Sequence, residues 1–582
     1  MSNFINNFKK EFELINLKIF KKNLINYKIN IEKISFDIND NESRGHVSTN
    51  AAFIYNKHSK SKLNELIDFI NKELKKLHII DKIEVAGPGF INIFFKKDYL
   101  LKELFYLNKA KDKFGSSKLG KNKKINVEFI SANPTGPLHI AHSRGAVFGD
   151  VLSNIFEKVG YKVTREYYVN DAGKQIEILG DSLFIRYKQS LNYNESINKE
   201  FYPGKYLVNI AKEIISKDGK KWINYNEKKR KIFFQNYAIR KILKLIKNDC
   251  KNINIKFDNF VSEKKIINSK IIDEVFKVLK RKNLLYEGVL DKPKGLEDSD
   301  WEPRKQLLFR SSNFGDDNDR PFLKSDNNWT YFANDSAYHY NKIKRGYHKL
   351  INIWGSDHIG YIKRMQSIVK VLSNDKINLN IKICQIVNLR KNNKPIRMSK
   401  RSGNFISIND IISEIGSDTL RFFMLYRKND AQIDFDLSKV VEKTKDNPIF
   451  YINYAYARSC SVIENADKIL KKFDIDKEIK KINIKEYMSS YEWQIILQIL
   501  SWPNIIEKSC LSQEPHRIVY YLENLSSLFH IFWNKGKENK SLRFIDEGDL
   551  GKTISKIYWI KSMQIVYKSA FDILGIKLIK KM

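Results

Sequence analysis

Apolar positions change their spacing twice along the chain, and each change marks a boundary. A helical pattern opens the first stretch and is followed by a loop, Gly45-His46-Val47-Ser48-Thr49-Asn50. The stretch closes on Ile83-Glu84-Val85-Ala86-Gly87-Pro88-Gly89-Phe90-Ile91-Asn92-Ile93, which reads as strand, Gly-Pro-Gly turn and strand. The pattern predicts a small α+β domain over 1–110. A basic linker, Lys111 to Lys124, is broken by Gly115 and Gly120. Through about 440, β-branched apolar runs then alternate with helical stretches, as a parallel α/β sheet requires. The domain expected over 111–440 carries an interruption at about 190–330, rich in Lys, Asn and turn residues. Residues 441–582 are helical in pattern, with few Gly or Pro, and predict an α-helical bundle.

The chemistry concentrates where the middle region begins. A buried strand, Ile125-Asn126-Val127-Glu128-Phe129-Ile130, runs into Ser131-Ala132-Asn133-Pro134-Thr135-Gly136-Pro137-Leu138, and a helix opens at His139-Ile140-Ala141-His142. His139 and His142 are three residues apart, so both imidazoles share one side of the first turn. Exposed N–H groups and the positive dipole end there favour phosphate. Two histidines so placed can donate hydrogen bonds to a triphosphate as charge develops at its α-phosphorus. Two other readings stay open: a zinc-binding pair, which lacks the HExxH spacing and an evident third ligand, and plain helix capping. The sequence GSSKLGK, Gly115 to Lys121, has P-loop spacing, but Asn122 stands where a magnesium-holding hydroxyl belongs, so it reads as linker. A second basic loop, Arg397-Met398-Ser399-Lys400-Arg401-Ser402-Gly403-Asn404, follows the apolar Ile383-Cys384-Gln385-Ile386-Val387 and precedes a helix near Ile408. A Lys/Ser loop in that position could close over a triphosphate and stabilise departing pyrophosphate.

Composition narrows the class. The 582 residues include 104 Lys and Arg against 67 Asp and Glu, a formal net charge of +37. That balance attracts polyanions, although the Lys, Ile and Asn bias of AT-rich codons yields the same excess. No apolar run approaches the ~20 residues of a membrane span. The first twenty residues lack a signal-peptide core, and Cys250, Cys384, Cys460 and Cys510 form no CxxC pair. A reducing cytoplasm is expected.

Together the two loops resemble the signature motifs of class I aminoacyl-tRNA synthetases, whose catalytic domain has a Rossmann-like dinucleotide fold. The segments VEFISANPTGPLHIAHSRGAVFGD, EYYVNDAGKQIEILG, FGDDNDRPFLKSDNNWTYFANDSAYHY, WGSDHIGYIKR and NPIFYINYAYAR resemble the bacterial type of arginyl-tRNA synthetase. Two positions depart from the family pattern: Ala141 replaces a usual Gly and Arg397 a usual Lys.

The resemblance implies an arginine–tRNA ligase that activates L-arginine with ATP and passes the arginyl group to tRNA(Arg). It assigns His139, His142 and Lys400 to the phosphates. ATP, entering with Mg²⁺ as substrate and with no tightly bound metal, would meet Ala132, Asn133, Pro134, Thr135, Gly136, Pro137, Leu138, Ile140 and Ala141. Gly355, Asp357, His358, Met398 and Ser399 complete that set. Asp335 and Tyr331 match the guanidinium pocket, and Glu128, Ser131 and Asn133 the amino-acid end. Without the resemblance Asp335 reads first as a helix N-cap, since Ser-Ala-Tyr-His follows it; with it, substrate binding leads. Glu302 is a second carboxylate candidate. By the same resemblance the terminal domains contact tRNA, with Tyr451, Tyr454, Tyr456 and Arg458 as candidate base readers; tyrosines at helical spacing also pack in cores. A cytoplasmic monomer without a membrane partner is implied. The competing classes are a non-catalytic tRNA-binding paralogue, another class I synthetase and a small-molecule nucleotidyltransferase.

Overall fold

The computed structural model describes residues 4–39, 44–59, 62–198, 200–290, 303–396, 406–470 and 474–582. The chain forms two compact units, Met1–Leu119 with Lys443–Met582, and Gly120–Glu442.

In the first unit, α1 (Phe4–Lys21) buries Phe4, Phe8, Phe12, Ile15 and Ile19 along one face. The Phe8 ring meets those of Phe36 and Phe95 edge-on at 5.5 and 5.2 Å. These rings belong to a four-stranded antiparallel sheet built from β1 (Phe36–Ile38) and β2 (Val47–Thr49), and, after α2 (Ala51–Asn56) and α3 (Leu63–Leu74), from β3 (Ile80–Ala86) and β4 (Phe90–Phe95). Strand order is β1-β2-β4-β3. The Gly-Pro-Gly hairpin pairs Ala86 with Phe90, and its turn needs φ of 53° at Gly87 and 139° at Gly89, open only to glycine at low cost. Helix α4 (Lys97–Ala110) ends this portion.

The second unit opens with β5 (Lys124–Glu128), α5 (Ile140–Lys158), β6 (Lys162–Val169), α6 (Lys174–Ser190), α7 (Lys205–Asp218) and α8 (Glu227–Asn252). It continues through β7 (Asn259–Ser262), α9 (Glu263–Ile267) and α10 (Ile271–Arg281). A small antiparallel sheet, β8 (Leu285–Gly288), β9 (Gln306–Phe309) and β10 (Arg320–Leu323), precedes α11 (Tyr331–Lys344), β11 (Lys349–Gly355), α12 (Ile362–Leu372) and β12 (Asn378–Cys384). Last come β13 (Val387–Lys391), β14 (Lys394–Pro395), α13 (Ile408–Ile415), α14 (Ser417–Leu425) and β15 (Ile433–Asp436). The central sheet is parallel throughout, in the order β12-β11-β5-β6-β7. Four of the five residues of β5 are buried, as a middle strand covered on both faces demands. Helix α5 lies so close to the chain end of β5 that a Cβ at Gly149 would fall 2.3 Å from the Phe129 ring. The stretch from 190 to 330, expected as an interruption, supplies β7 to the main sheet. No apolar run marks β7, because all four of its residues are only half-buried.

The first unit is completed by α15 (Pro448–Leu470), α16 (Ile475–Glu478), α17 (Ile484–Tyr487), α18 (Ser490–Leu500), α19 (Trp502–Ser512), α20 (His516–Glu538) and α21 (Leu550–Leu574). Helix α21 is buried on nearly every side, which makes it the bundle's central rod. The N-terminal α4 packs on α18 and α21, where Asn108 Nδ2 donates to Ser562 Oγ at 2.6 Å.

Candidate active site

Strand order reverses at β5: β6 and β7 are added on one side, β11 and β12 on the other. The helices after β5 and β11 therefore leave a crevice at the carboxyl ends of the strands, and there lies a cleft of about 710 Å³. Directly after β5 the backbone doubles back through Ile130 (φ 66°) and Ser131 (φ 39°), a costly conformation for a β-branched residue. Three hydrogen bonds hold it. Ser131 Oγ accepts from the Tyr168 N–H at 3.0 Å and donates to Glu128 Oε1 at 3.0 Å, and the Ser131 carbonyl accepts from Asn170 Nδ2 at 3.1 Å.

Both histidines line the cleft at the start of α5, with ring centroids 3.8 Å apart. The His139 N–H donates to His142 Nδ1 at 3.2 Å. A nitrogen that accepts cannot carry the proton of a neutral imidazole, so in His142 that proton sits on Nε2, where it can be donated to an anion. Ser407 pairs with His139 in a β-bridge, so the chain that emerges from residues 397–405 passes the same helix end.

The opposite wall is α11. Its N-cap is Thr330, whose side chain accepts from the Ala333 N–H at 3.2 Å. Asp335 therefore sits a full turn inside the helix, and the capping reading falls. Its Oδ2 accepts from the Tyr361 hydroxyl at 2.9 Å. Burial, with a smaller contribution from Glu128, raises its pKa to about 7, against the pull of the Tyr361 bond. One and two turns further along α11 stand His339 and Lys342, both buried. Lys342 Nζ meets Glu128 Oε2 at 2.5 Å and Asn352 Oδ1 at 3.2 Å. Asn352 Nδ2 donates to His339 Nε2 at 2.9 Å, and His339 Nδ1 donates to the Asp335 carbonyl at 2.8 Å. Burial and the nearby ammonium group push the His339 pKa down to about 4, so this ring is a neutral spacer. Beneath it Glu166 is fully buried, bonded to Tyr338 and to the guanidinium of Arg345.

Of the residues marked from sequence, the cleft gathers Glu128, Ser131, Ala132, Asn133, His139, Ala141, His142, Tyr331, Asp335, Gly355, Asp357 and His358. Pro134, Thr135, Gly136, Pro137, Leu138 and Ile140 do not line it. Leu138 and Ile140 are wholly buried, and Gly136 packs against Tyr206, whose hydroxyl donates to the Thr135 carbonyl. The loop is thus anchored from behind, and only its two ends face the cleft. Lys400, Met398, Ser399, Arg397 and Glu302 lie outside the described residues. Among the described residues no group of three His, Cys, Asp or Glu is placed to hold a metal ion, and no helix is long and apolar enough to cross a membrane. Cys250, Cys384, Cys460 and Cys510 form no disulfide. Sequence reasoning missed Tyr361, His339, Lys342, Asn352 and Tyr168. The first three had a signal: His339 and Lys342 follow Asp335 at i+4 and i+7, one helix face, and Tyr361 lies in WGSDHIGYIKR.

In the first unit, Tyr456 is buried and packs against Tyr567 at 5.8 Å. Arg458, by contrast, lies over the Tyr454 ring at 4.0 Å and the Trp533 ring at 4.7 Å. Its guanidinium donates to the Tyr454 hydroxyl at 2.7 Å and meets His530 Nδ1 at 3.1 Å.

Residues 106–451 match the family model described as tRNA synthetases class I (R), catalytic domain. Residues 13–95 match the arginyl tRNA synthetase N terminal domain, and 452–582 the DALR anticodon binding domain. The chain is 42% identical over 542 residues to the arginine–tRNA ligase of Wolbachia sp. subsp. Brugia malayi (strain TRS), covering 93% of this chain and 94% of that protein. It is 42% identical over 546 residues to that of Ehrlichia ruminantium (strain Gardel), covering 94% of each. In fold it is similar to Thermus thermophilus arginyl-tRNA synthetase, with a TM-score of 0.73 at 14% identity, over 99% of this chain and 100% of that one. A catalytic-domain model that spans more than half of the sequence, and relatives of such identity over nine-tenths of it, leave one conclusion: the chain belongs to the arginyl-tRNA synthetase family of class I aminoacyl-tRNA synthetases.

Proposed function

We propose that this cleft carries out both steps of arginine–tRNA ligation, the ATP-dependent activity of the family. In the first, a carboxylate oxygen of L-arginine attacks the α-phosphorus of ATP, the bond to the β-phosphate oxygen breaks, and pyrophosphate leaves. In the second, a ribose hydroxyl at the 3′ end of tRNA(Arg) attacks the arginyl carbonyl and AMP departs. Neither step needs a protein nucleophile. The work is alignment and charge stabilisation.

His139 and His142 serve the phosphates of ATP, which enters with Mg²⁺ as substrate. What supports this is the Nε2 proton of His142 at a helix N-terminus that faces the cleft. Lys400 joins them from sequence. It precedes Ser407 by seven residues, and Ser407 is paired with His139. Ala132, Asn133, Ala141, Gly355, Asp357 and His358 border the nucleotide, and Met398 and Ser399 belong to the same set. Asp335 takes the guanidinium, with Tyr331 beside it, while Glu128, Ser131 and Asn133 receive the amino-acid end. The observation that carries the substrate reading is Asp335. It is a half-buried carboxylate without a cation partner in the described contacts, held by a tyrosine and facing the same cavity as the histidine pair. A planar guanidinium suits such a group. The aromatic–arginine cluster of Tyr454, Arg458 and Trp533 contacts tRNA. Charging takes place where tRNA meets ribosomes, so we place the chain in the cytoplasm, acting as a monomer.

The test is exchange of labelled pyrophosphate into ATP with each of the twenty amino acids, with and without tRNA. Label is expected for arginine with tRNA supplied. Exchange driven by another amino acid rejects the substrate, and silence throughout rejects catalysis.

A further inference from the structure

Helix α8 ends with an acidic residue in its last turn, where the dipole disfavours negative charge. That residue, Asp249, is 2% exposed and lies 111 positions from the loop that it touches. Its Oδ2 accepts from the Leu138 N–H at 2.9 Å and its Oδ1 from Asn409 Nδ2 at 2.7 Å. Asn409 in turn accepts on Oδ1 from Asn252 Nδ2 at 2.8 Å. The two segments so clasped are already joined to each other. The Ile408 N–H donates to the Leu138 carbonyl at 2.9 Å, and His139 bridges Ser407. One carboxylate therefore fixes, from behind, both the residue before His139 and the first turn of α13.

We propose that Asp249 is a positioning residue for arginine activation: by binding Leu138 and Asn409 together it sets His139 in register with the start of α13. It touches neither the cleft nor any substrate, and it acts through His139. The inference rests on the reading that the histidines serve the phosphates.

Donor and acceptor counting provides the test. In Asp249→Leu both acceptors are lost, which strands the Leu138 N–H and the Asn409 NH₂. Asp249→Asn does not break the clasp, because the Asn409 amide and the exposed Asn252 amide can both turn over and pair every group again. The exchanged pair Asp249→Asn/Asn409→Asp likewise satisfies every group: Asn at 249 accepts from Leu138 and donates to Asp at 409, which also accepts from Asn252. In arginine- and tRNA-dependent pyrophosphate exchange, Asp249→Leu is expected to lower kcat by about 10²-fold, the effect of a reacting group displaced by roughly 1 Å. The KM for arginine stays within about twofold, because the arginine wall on α11 is separate. The exchanged pair keeps most of the wild-type rate. An undiminished kcat in Asp249→Leu, an exchanged pair that folds yet is slow, or a rise in arginine KM matching the loss of kcat would each overturn the proposal. Should Asp249→Leu not fold, Asn409→Leu keeps the Leu138 bond and severs the other: a lowered kcat with unchanged arginine KM supports the clasp, and a wild-type rate ends it. Arginine-dependent exchange by the wild-type chain, run alongside, keeps the wider functional reading separate from this one.

Discussion

Tyr361 reaches across 26 residues of sequence to donate its phenolic hydrogen to Asp335 at 2.9 Å. The bond favours the carboxylate, while burial favours the neutral acid and wins, leaving a pKa of about 7. Only the carboxylate pairs with a guanidinium. In the free enzyme, kcat/KM for arginine should therefore climb with pH through about 7 and level off above it. Tyr361→Phe removes a bond to the charged form, so the climb moves upward by roughly one pH unit. Asp335→Asn abolishes the climb and cuts arginine use by about 10²-fold or more, since a buried donor is left without a charged partner. Pyrophosphate exchange at subsaturating arginine, measured from pH 5.5 to 9 (roughly the range over which the group titrates), checks all three. A flat wild-type profile would remove Asp335 from the pocket.

Glu128 and Lys342 make a separate case, because here both partners are buried. Lys342→Met strands the carboxylate and is expected to cost about 3–5 kcal/mol. Adding Glu128→Gln removes the stranded charge, so stability returns. Arginine use does not, because the carboxylate assigned to the substrate's ammonium group has gone. Thermal unfolding and arginine KM, read on the single and double variants, separate these effects. A double variant no more stable than Lys342→Met would mean that the pair is not the buried strut described.

The histidine pair can be dissected by shape. His142→Asn keeps an acceptor near the place of Nδ1 and so preserves the bond from the His139 N–H, but it loses the outer N–H. It is expected to fold normally while arginine activation slows by about 10²–10³-fold, the loss typical of one transition-state donor. His142→Gln carries a terminal NH₂ that reaches toward the Nε2 position and should lose less. Equal rates in the two variants would deny the outer nitrogen a role.

How far the sequence could carry these conclusions depends on distance along the chain. The strand, loop and helix from Ile125 to Leu152 were legible because burial imposes continuous apolar runs there. Strand β7 was not, being four half-buried residues inside a polar stretch. His139 and His142 could be paired by local helical geometry alone. The alternatives for Asp335 could not be separated, because they turned on where α11 begins, and only the Thr330 cap decides that. Tyr361, Lys342 and Asp249 owe their roles to partners 26, 214 and 111 residues away, pairings that only the folded sheet creates. In α15 the aromatic pattern hid two fates: Tyr456 enters the core, while Tyr454 stays half-buried against Arg458.

Arg458 yields the clearest test of the tRNA side. Its guanidinium is stacked between Tyr454 and Trp533 and steered by His530, so it is held flat and in place before any partner arrives. Beside it, Trp533 and Phe544 with Lys537 and Arg543 line a cavity of about 320 Å³, an aromatic and cationic setting suited to an unpaired base and its phosphate. Arg458→Ala removes the clamp between the rings. Stacking is worth about 1–3 kcal/mol per base, so the KM for tRNA should rise at least about fivefold while the KM values for ATP and arginine hold. Arg458→Lys retains the charge but not the plane that stacks, and is expected to resemble Ala rather than the wild type. Aminoacylation at graded tRNA concentrations reads both variants. If Lys restores tRNA use in full, charge alone is at work and the stacked geometry is incidental; if even Ala leaves the tRNA KM unmoved, this face of the bundle does not meet tRNA.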